Sequence, residues 1–230
     1  MSIRYEFIGH ATHRFEMGDH AVLVDPFFKN NPATSIAPDS VTADFILITH
    51  GHFDHIEDAV AIARRTGATV ISNFEIVGWF RSQGLPEEQV HPQHIGGGYS
   101  HPFGHVKLTI AHHGSGLPDG GYGGQPAGLL ITAEDKRIYI AGDTALFSDM
   151  QLYKDPQVDL LILPIGDNFT MGPDDALQAV RWISPRHCVP CHYNTWPPIE
   201  QDVHAWADRV TSACPSTVVD VLGPGQGIDL

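Results

Sequence analysis

Residues 44–55 have the sequence Asp-Phe-Ile-Leu-Ile-Thr-His-Gly-His-Phe-Asp-His. The apolar run predicts a buried strand over residues 44–49, and the segment 56–66 predicts a helix shortly after it. The histidines and the aspartate therefore follow the carboxyl end of a strand, where α/β folds place their binding sites. His50 and His52 are two residues apart on extended chain, so they point the same way and can bind one metal ion.

Asp54 and His55 lie where the chain turns into the predicted helix, and this pair can face a second metal ion. Asp54 has an alternative interpretation, because with Glu57 three residues later it can cap a helix that begins at Ile56. A carboxylate has two oxygens, so capping and metal binding are compatible. We predict that Asp54 is a metal ligand, since three histidines are adjacent to it.

Three further segments repeat the pattern of an apolar strand followed by a metal-binding side chain. Residues 106–113 end in His112 and His113, residues 137–143 end in Asp143, and residues 187–192 end in His192. Loops that leave one end of a rigid scaffold commonly converge on one site. We therefore expect these side chains to join the first cluster.

The remaining periodicity predicts stacked sheets covered by helices, which is an α+β class fold in a single domain spanning residues 1–230. The first strands form a hairpin over residues 3–25 that turns at residues 17–19. Further strands are predicted at residues 68–72, 106–112, 129–133, 137–141, 158–163, 187–190 and 217–221, and helices at residues 74–83, 173–183 and 200–212.

Composition excludes several classes of function. The 230-residue chain has a formal charge of −14 and only 13 Lys and Arg, so nucleic acid is not an expected partner. No apolar run is long enough for a transmembrane helix, and the first residues lack the pattern of a secretion signal, so neither a membrane partner nor export is expected. Three cysteines fit a reducing compartment, and we predict a cytoplasmic protein that acts on a small molecule. Assembly into a homo-oligomer is left open.

Several weaker signals allow more than one interpretation. Residues 188–192 have the C-x-x-C-H pattern of haem attachment, but Cys188 and Cys191 are expected to be small buried strand residues. Residues 114–128 contain seven glycines, which fits a substrate lid or a plain loop. Three polar residues that follow strands are candidates for substrate contact or for support of the metal ligands: His10, Asn168 and Thr195.

These residues resemble the metallo-β-lactamase fold superfamily, and most closely its compact branch of uncharacterised metal-dependent hydrolases related to ascorbate-6-phosphate lactonase. The resemblance spans nearly the whole chain in order. The segments that carry it are Ile8-Gly-His-Ala, Asp25-Pro-Phe, Thr49-His-Gly-His-Phe-Asp-His, Gly123-Gly-Gln-Pro-Ala-Gly, Ala141-Gly-Asp-Thr-Ala-Leu-Phe, Asn168-Phe-Thr-Met-Gly-Pro and His192-Tyr-Asn-Thr-Trp-Pro-Pro-Ile-Glu-Gln-Asp.

The resemblance implies an αββα four-layer sandwich with a two-metal site along one edge of the sheets. It assigns His50, His52 and His113 to one metal, Asp54, His55 and His192 to the other, and Asp143 to a bridge between them. His112 departs from the family, in which an aromatic residue is expected at that position. Because residue 112 shares a strand face with apolar residues 106, 108 and 110, we predict a histidine in the core or behind the ligands.

The implied site has a positive charge that favours anionic substrates. Five neutral histidines and two aspartates contribute −2 against +4 from two divalent ions, and a hydroxide between the metals leaves about +1. Zinc is expected, with manganese or iron left open. The predicted function is hydrolysis of a small ester, lactone or phosphoester by that hydroxide, with Asp54 orienting the attacking oxygen. A di-iron redox centre and a non-catalytic metal sensor are the alternatives.

Overall fold

A computed structural model describes residues 3–230. Met1 and Ser2, which the predicted domain includes, lie outside the described residues. The fourteen strands and five α-helices that it contains are, in chain order, β1 (Ile3–Gly9), β2 (Thr12–Met17), β3 (His20–Val24), β4 (Phe45–Leu47), α1 (Phe53–Ile56), α2 (Ala59–Thr66), β5 (Thr69–Asn73), α3 (Phe74–Ser82), β6 (Val90–Gln93), β7 (Gly98–His101), β8 (Gly104–Ile110), β9 (Ala127–Ala133), β10 (Lys136–Ile140), β11 (Leu160–Pro164), α4 (Pro173–Ile183), β12 (His187–Cys191), α5 (Val203–Ala213), β13 (Val218–Val219) and β14 (Gln226–Asp229).

The strands form two seven-stranded sheets, with the orders β14-β1-β2-β3-β4-β5-β6 and β13-β12-β11-β10-β9-β8-β7. Each sheet begins with antiparallel hairpins and continues with parallel strands. The first half of the chain builds one sheet and the second half builds the other. Only β14 returns, pairing with β1 of the first sheet.

The secondary structure forms four layers, and an apolar layer of side chains lies between each neighbouring pair. The central one contains side chains from both sheets, for example Phe15 and Ile162. A second lies between the first sheet and α2 and α3, and a third between the second sheet and α4 and α5. This arrangement is an αββα sandwich, so the predicted fold is confirmed. No helix in the described part of the chain has the length and hydropathy needed to cross a lipid bilayer.

The predicted helix over residues 56–66 is wrong in one respect that matters for the site. It is divided into the four-residue helix α1 and the longer helix α2. Asp58 lies at the break, where its buried carboxylate accepts hydrogen bonds from the backbone N–H groups of Phe28 and Lys29, at 2.7 and 3.1 Å. The N-cap of α1 is His52, so Asp54 is inside the helix and does not cap it.

The predicted hairpin over residues 3–25 also differs from the structure, because the part before the turn at residues 17–19 is already two strands, with a turn at His10 and Ala11. Gly9 has a φ of +131°, and a Cβ there would lie 3.1 Å from the carbonyl oxygen of Ala33. His10 has a φ of +59°. This left-handed turn ends β1 at the edge of the sandwich where β4 of the first sheet and β8, β10 and β12 of the second sheet also end. Strands β6, β7 and β14 were not predicted, since their sequences lack a period of two.

Candidate metal centre

Three histidines form the first half of the cluster. His50 follows β4, His52 is the N-cap of α1, and His113 lies three residues beyond the end of β8. Their nearest nitrogens lie within 4.8 Å of one another, and His50 Nε2 is 3.0 Å from His52 Nδ1. The strand ends bring these nitrogens together, as the sequence predicts for one metal position.

The second half of the cluster contains Asp54, His55 and His192, together with His10, and all four side chains are buried. One ligand atom from each lies within 4.8 Å of the others. His192 has a φ of +52° and follows β12, and its backbone N–H donates to the carbonyl oxygen of His10 at 2.8 Å. This bond ties the end of β12 in one sheet to the turn after β1 in the other.

Asp143 lies between the two halves. Its Oδ2 atom is 3.6 Å from His113 Nε2 and 3.9 Å from His50 Nε2 in the first half. It is 3.1 Å from His192 Nε2 and 3.4 Å from His55 Nε2 in the second. One carboxylate oxygen therefore lies within 3.9 Å of four imidazole nitrogens, two from each half of the cluster.

Gly142 explains how the chain places Asp143. Its φ is +64°, and a Cβ on this residue would lie 2.7 Å from the carbonyl oxygen of Ala127 on the neighbouring strand β9. Any side chain here would be both strained and too close to the backbone. A glycine two residues after the end of β10 thus lets the chain turn so that the next side chain enters the cluster.

The electrostatics of the cluster fit a cation. Burial alone would lower the pKa of His192, but Asp143 outweighs that effect and raises it to about 9. Burial would raise the pKa of Asp143, yet His192 and His55 hold it well below its usual value. His55 Nε2 is buried and has no hydrogen-bond partner among residues 3–230. Imidazole nitrogens and carboxylate oxygens around such a position are a ligand set for zinc, manganese or iron.

Asp25 and Thr49 orient two of the histidines from behind. Asp25 Oδ2 accepts from His55 Nδ1 at 2.8 Å and from the Thr49 hydroxyl at 2.6 Å. Because that hydroxyl proton is donated to Asp25, Thr49 accepts from His50 Nδ1 at 3.0 Å. Both Nδ1 atoms are then used, and both Nε2 atoms are left for a metal. Asp25 and Thr49 are the first residues of two segments of the family resemblance, but sequence reasoning gave them no role.

His10 supports Asp54 in the same way. Its Nε2 lies 3.0 Å from Asp54 Oδ2, and its Nδ1 lies 2.8 Å from the Thr195 hydroxyl. Burial, followed by the charge of His192, lowers the pKa of His10 to about 4, so the ring is neutral at pH 7. A carboxylate only accepts, so Nε2 carries the proton and Nδ1 accepts from Thr195. Of the two roles expected for His10, support of a ligand is the one that the geometry favours.

A cavity of about 510 Å³ opens over the cluster. None of the three predicted substrate contacts, His10, Asn168 and Thr195, is among the residues that line it. His10 and Thr195 are buried behind Asp54, and Asn168 is exposed on a turn outside the cavity. The residues that do line it are His52, Phe53, Asp54, His113, Asp143, Phe169, His192, Trp196 and Pro198. The aromatic members were missed, since single exposed aromatics carry no periodic signal.

His112 is a further correction. It was expected in the core or behind the ligands, but its side chain is exposed and its ring packs edge-on against Phe147, with the centroids 5.0 Å apart. The alternation of faces fails here because β8 ends at Ile110, which is itself 41% exposed. The backbone N–H of His112 donates to the Thr144 hydroxyl at 2.9 Å, which holds the segment before His113.

Two other sequence interpretations can be compared with the structure. Cys188 and Cys191 are free and buried, which confirms the prediction of small buried strand residues. The glycine-rich segment 114–128 forms a small hairpin bridged at Gly116 and Tyr122, and it is tied to the first sheet by Asn73, whose amide donates to two of its carbonyls. None of its residues lines the cavity, which favours a plain loop.

Fold and cluster together define a member of the β-lactamase superfamily, and the model of the β-lactamase superfamily domain matches residues 20–193. A UPF0173 metal-dependent hydrolase of Shouchella clausii is 49% identical over 91% of this chain and 94% of its own length. YtkL of Bacillus subtilis, from the same family, is 47% identical over the whole of both chains. The chain belongs to the UPF0173 metal-dependent hydrolase family, and the predicted resemblance is confirmed.

A solved structure agrees with the fold over the whole chain. Igni18, a metallo hydrolase from the hyperthermophilic archaeon Ignicoccus hospitalis, superposes with a TM-score of 0.89 and is 32% identical to this chain. The match covers 100% of this chain and 99% of Igni18. The overall fold is therefore shared with a metallo hydrolase.

Proposed function

We propose that the chain is a hydrolase that binds two divalent metal ions, expected to be zinc, and cleaves a small ester, lactone or phosphoester. The observation that carries the proposal is the position of Asp143 Oδ2, within 3.9 Å of four imidazole nitrogens from both halves of the cluster. His50, His52 and His113 would hold one ion, and Asp54, His55 and His192 the other, with Asp143 shared.

When bound, the metals would make water more acidic and would polarise a carbonyl or phosphoryl oxygen. The protein supplies the orientation of the reacting groups. Asp54 lines the cavity and is fixed by His10, so its carboxylate can orient an attacking water and accept a proton from it. Burial raises the pKa of Asp54, but His55 and the hydrogen bond from His10 outweigh that effect and keep it ionised.

The charge distribution supports a small molecule as the substrate. The formal charge of −14 opposes binding of a long polyanion such as RNA or DNA. The metal ions would be the main positive charge at the cavity, so a single phosphate or carboxylate on the substrate would bind there. The cavity volume of about 510 Å³ is in the range of small-ligand sites. The three free cysteines support our further proposal of a cytoplasmic location.

The test is elemental analysis of protein purified without added metal, followed by assays with phosphodiester, phosphomonoester, lactone and carboxylic ester substrates. We expect about two equivalents of metal per chain and turnover that a chelator abolishes and added metal restores. His187→Ala is the matched control, because His187 pairs with Asp220 at 2.8 Å outside the cavity and should change neither result. Metal binding without turnover of any substrate class would favour the sensor alternative.

A further inference from the structure

The wall of the cavity opposite the metal cluster is apolar. It contains Phe53 from α1, Phe169 from the loop after β11, and Trp196 and Pro198 from the loop after β12. Phe53 and Phe169 are 55% and 53% exposed, although large apolar side chains usually bury most of their surface. No Lys or Arg is among the lining residues. The wall can therefore bind an apolar group and offers no cation for a second anionic group.

One side of this wall is fixed by aromatic packing. The rings of Phe53 and Trp196 have centroids 6.1 Å apart, and each packs against the buried ring of Phe27, at 5.9 and 6.1 Å. The His10 ring lies edge-on to Trp196 at 4.9 Å. The same histidine supports Asp54, so the apolar wall and the proposed attacking group share one rigid support.

The other side is fixed by the backbone. Asp167 and Asn168 directly precede Phe169 and have φ values of +62° and +49°, a left-handed conformation that Asp and Asn tolerate and that turns the chain sharply before the ring. The backbone N–H of Met171 donates to the carbonyl oxygen of Thr144 at 2.9 Å, which anchors the loop to the segment after Asp143. Phe169 is thus held over the cavity by a constrained turn.

We propose that the substrate carries an alkyl or aryl group next to the bond that is cleaved, and that Phe53, Phe169 and Trp196 bind this group. The inference rests on the proposed function, because it places the reacting end of the substrate at the metals. Burying one methylene group changes affinity roughly fourfold. Chain length next to the anionic head should therefore control binding in this cavity.

The test is calorimetric binding of methyl-, ethyl-, butyl- and hexylphosphonate to the metal-loaded protein. These compounds share one anionic head and differ only in the length of the tail. We expect affinity to rise at least tenfold from methyl to butyl, with an increasingly negative heat-capacity change. Phe169→Ala and Phe53→Ala should each remove most of that increase while leaving the binding of methylphosphonate and the metal content unchanged.

The matched control is Phe74→Ala, because Phe74 is 57% exposed and does not line the cavity. It should leave the whole series unchanged. Affinities that do not depend on tail length, or tail dependence that survives both cavity variants, would overturn the inference even in an active hydrolase. Tail-dependent binding that the two variants abolish, in a protein that hydrolyses no substrate, would support binding of an apolar group by these residues and reject the proposed function.

Discussion

The Nε2 atom of His10 lies 3.0 Å from Oδ2 of Asp54, across a separation of 44 residues in the chain. The two side chains come from different elements of the first half of the chain, the turn after β1 and the helix α1 that follows β4. Asp54 lines the cavity, whereas His10 is 1% exposed beneath it. The histidine therefore controls the orientation of a carboxylate that faces the substrate.

Replacing His10 should separate positioning from metal binding. In His10→Ala we expect turnover to fall roughly 10- to 100-fold, because Asp54 loses the donor that orients it. Elemental analysis should still find the wild-type metal content. Loss of one equivalent of metal would instead make His10 a ligand, and unchanged turnover would show that the hydrogen bond has no role.

Thr195 provides a more conservative test of the same chain of hydrogen bonds. Thr195→Val keeps the shape but removes the hydroxyl that donates to His10 Nδ1. We expect a smaller fall in kcat than for His10→Ala, while Thr195→Ser should retain wild-type kinetics because the donor remains. Equal rates for the valine and serine variants would contradict the proposed tautomer of His10.

Asp143→Asn should empty the cluster. The change keeps the size of the side chain but removes the negative charge between two cations, so both occupancies should fall together. Activity should drop by more than about 100-fold, since losing a direct ligand exceeds the effect of losing a supporting residue. Metal titration of the apoprotein measures this directly, and one tightly bound equivalent in the variant would argue against a shared ligand.

His113 and His112 should respond oppositely to substitution. His113 lies 3.6 Å from Asp143, whereas His112 is exposed against Phe147. We expect His113→Ala to lose metal and activity, and His112→Phe to keep both because an aromatic ring still covers Phe147. Metal loss in His112→Phe together with a normal His113→Ala would reverse the ligand assignment.

His13 should make the fold sensitive to acid. It is buried beside the Tyr5 hydroxyl, and burial lowers its pKa to about 3. The unfolded chain therefore binds a proton below pH 6.5 that the folded chain does not, and stability falls as the pH falls. Between pH 7 and 5 this costs roughly 2 kcal/mol. Denaturant unfolding of His13→Asn at equal metal content should show a pH dependence smaller by about that amount.

The cysteines should differ in reactivity. Cys188 and Cys191 are 0% and 5% exposed, and burial raises the pKa of both thiols, while Cys214 is partly exposed. A thiol reagent such as Ellman's should therefore modify one cysteine rapidly in the native protein and all three after denaturation. Rapid modification of Cys188 would show that β12 opens on the time scale of the assay.

Much of the fold and of the ligand set was predictable from local sequence. Apolar runs precede both His50 and Asp143. Each run predicts a strand and the point where it ends, because a strand that is buried on both faces needs a continuous apolar stretch. The ligands follow those ends directly. Two local predictions failed. Face alternation stops near Ile110 because β8 ends there, and the predicted helix over residues 56–66 is divided at Asp58, whose carboxylate binds the backbone of a distant loop.

The sequence by itself determined which strands end in histidine or aspartate, because side-chain type and strand periodicity are properties of adjacent residues. Only the tertiary structure decided which other side chains contact these histidines and aspartates or line the cavity beside them. The carboxylate of Asp25 accepts a hydrogen bond from His55, 30 residues away in the sequence. The ring of Phe53 packs against Trp196, which follows a strand of the other sheet. Such contacts depend on the order of strands in the two sheets, and strand order is set by the packing of the whole core rather than by any single segment.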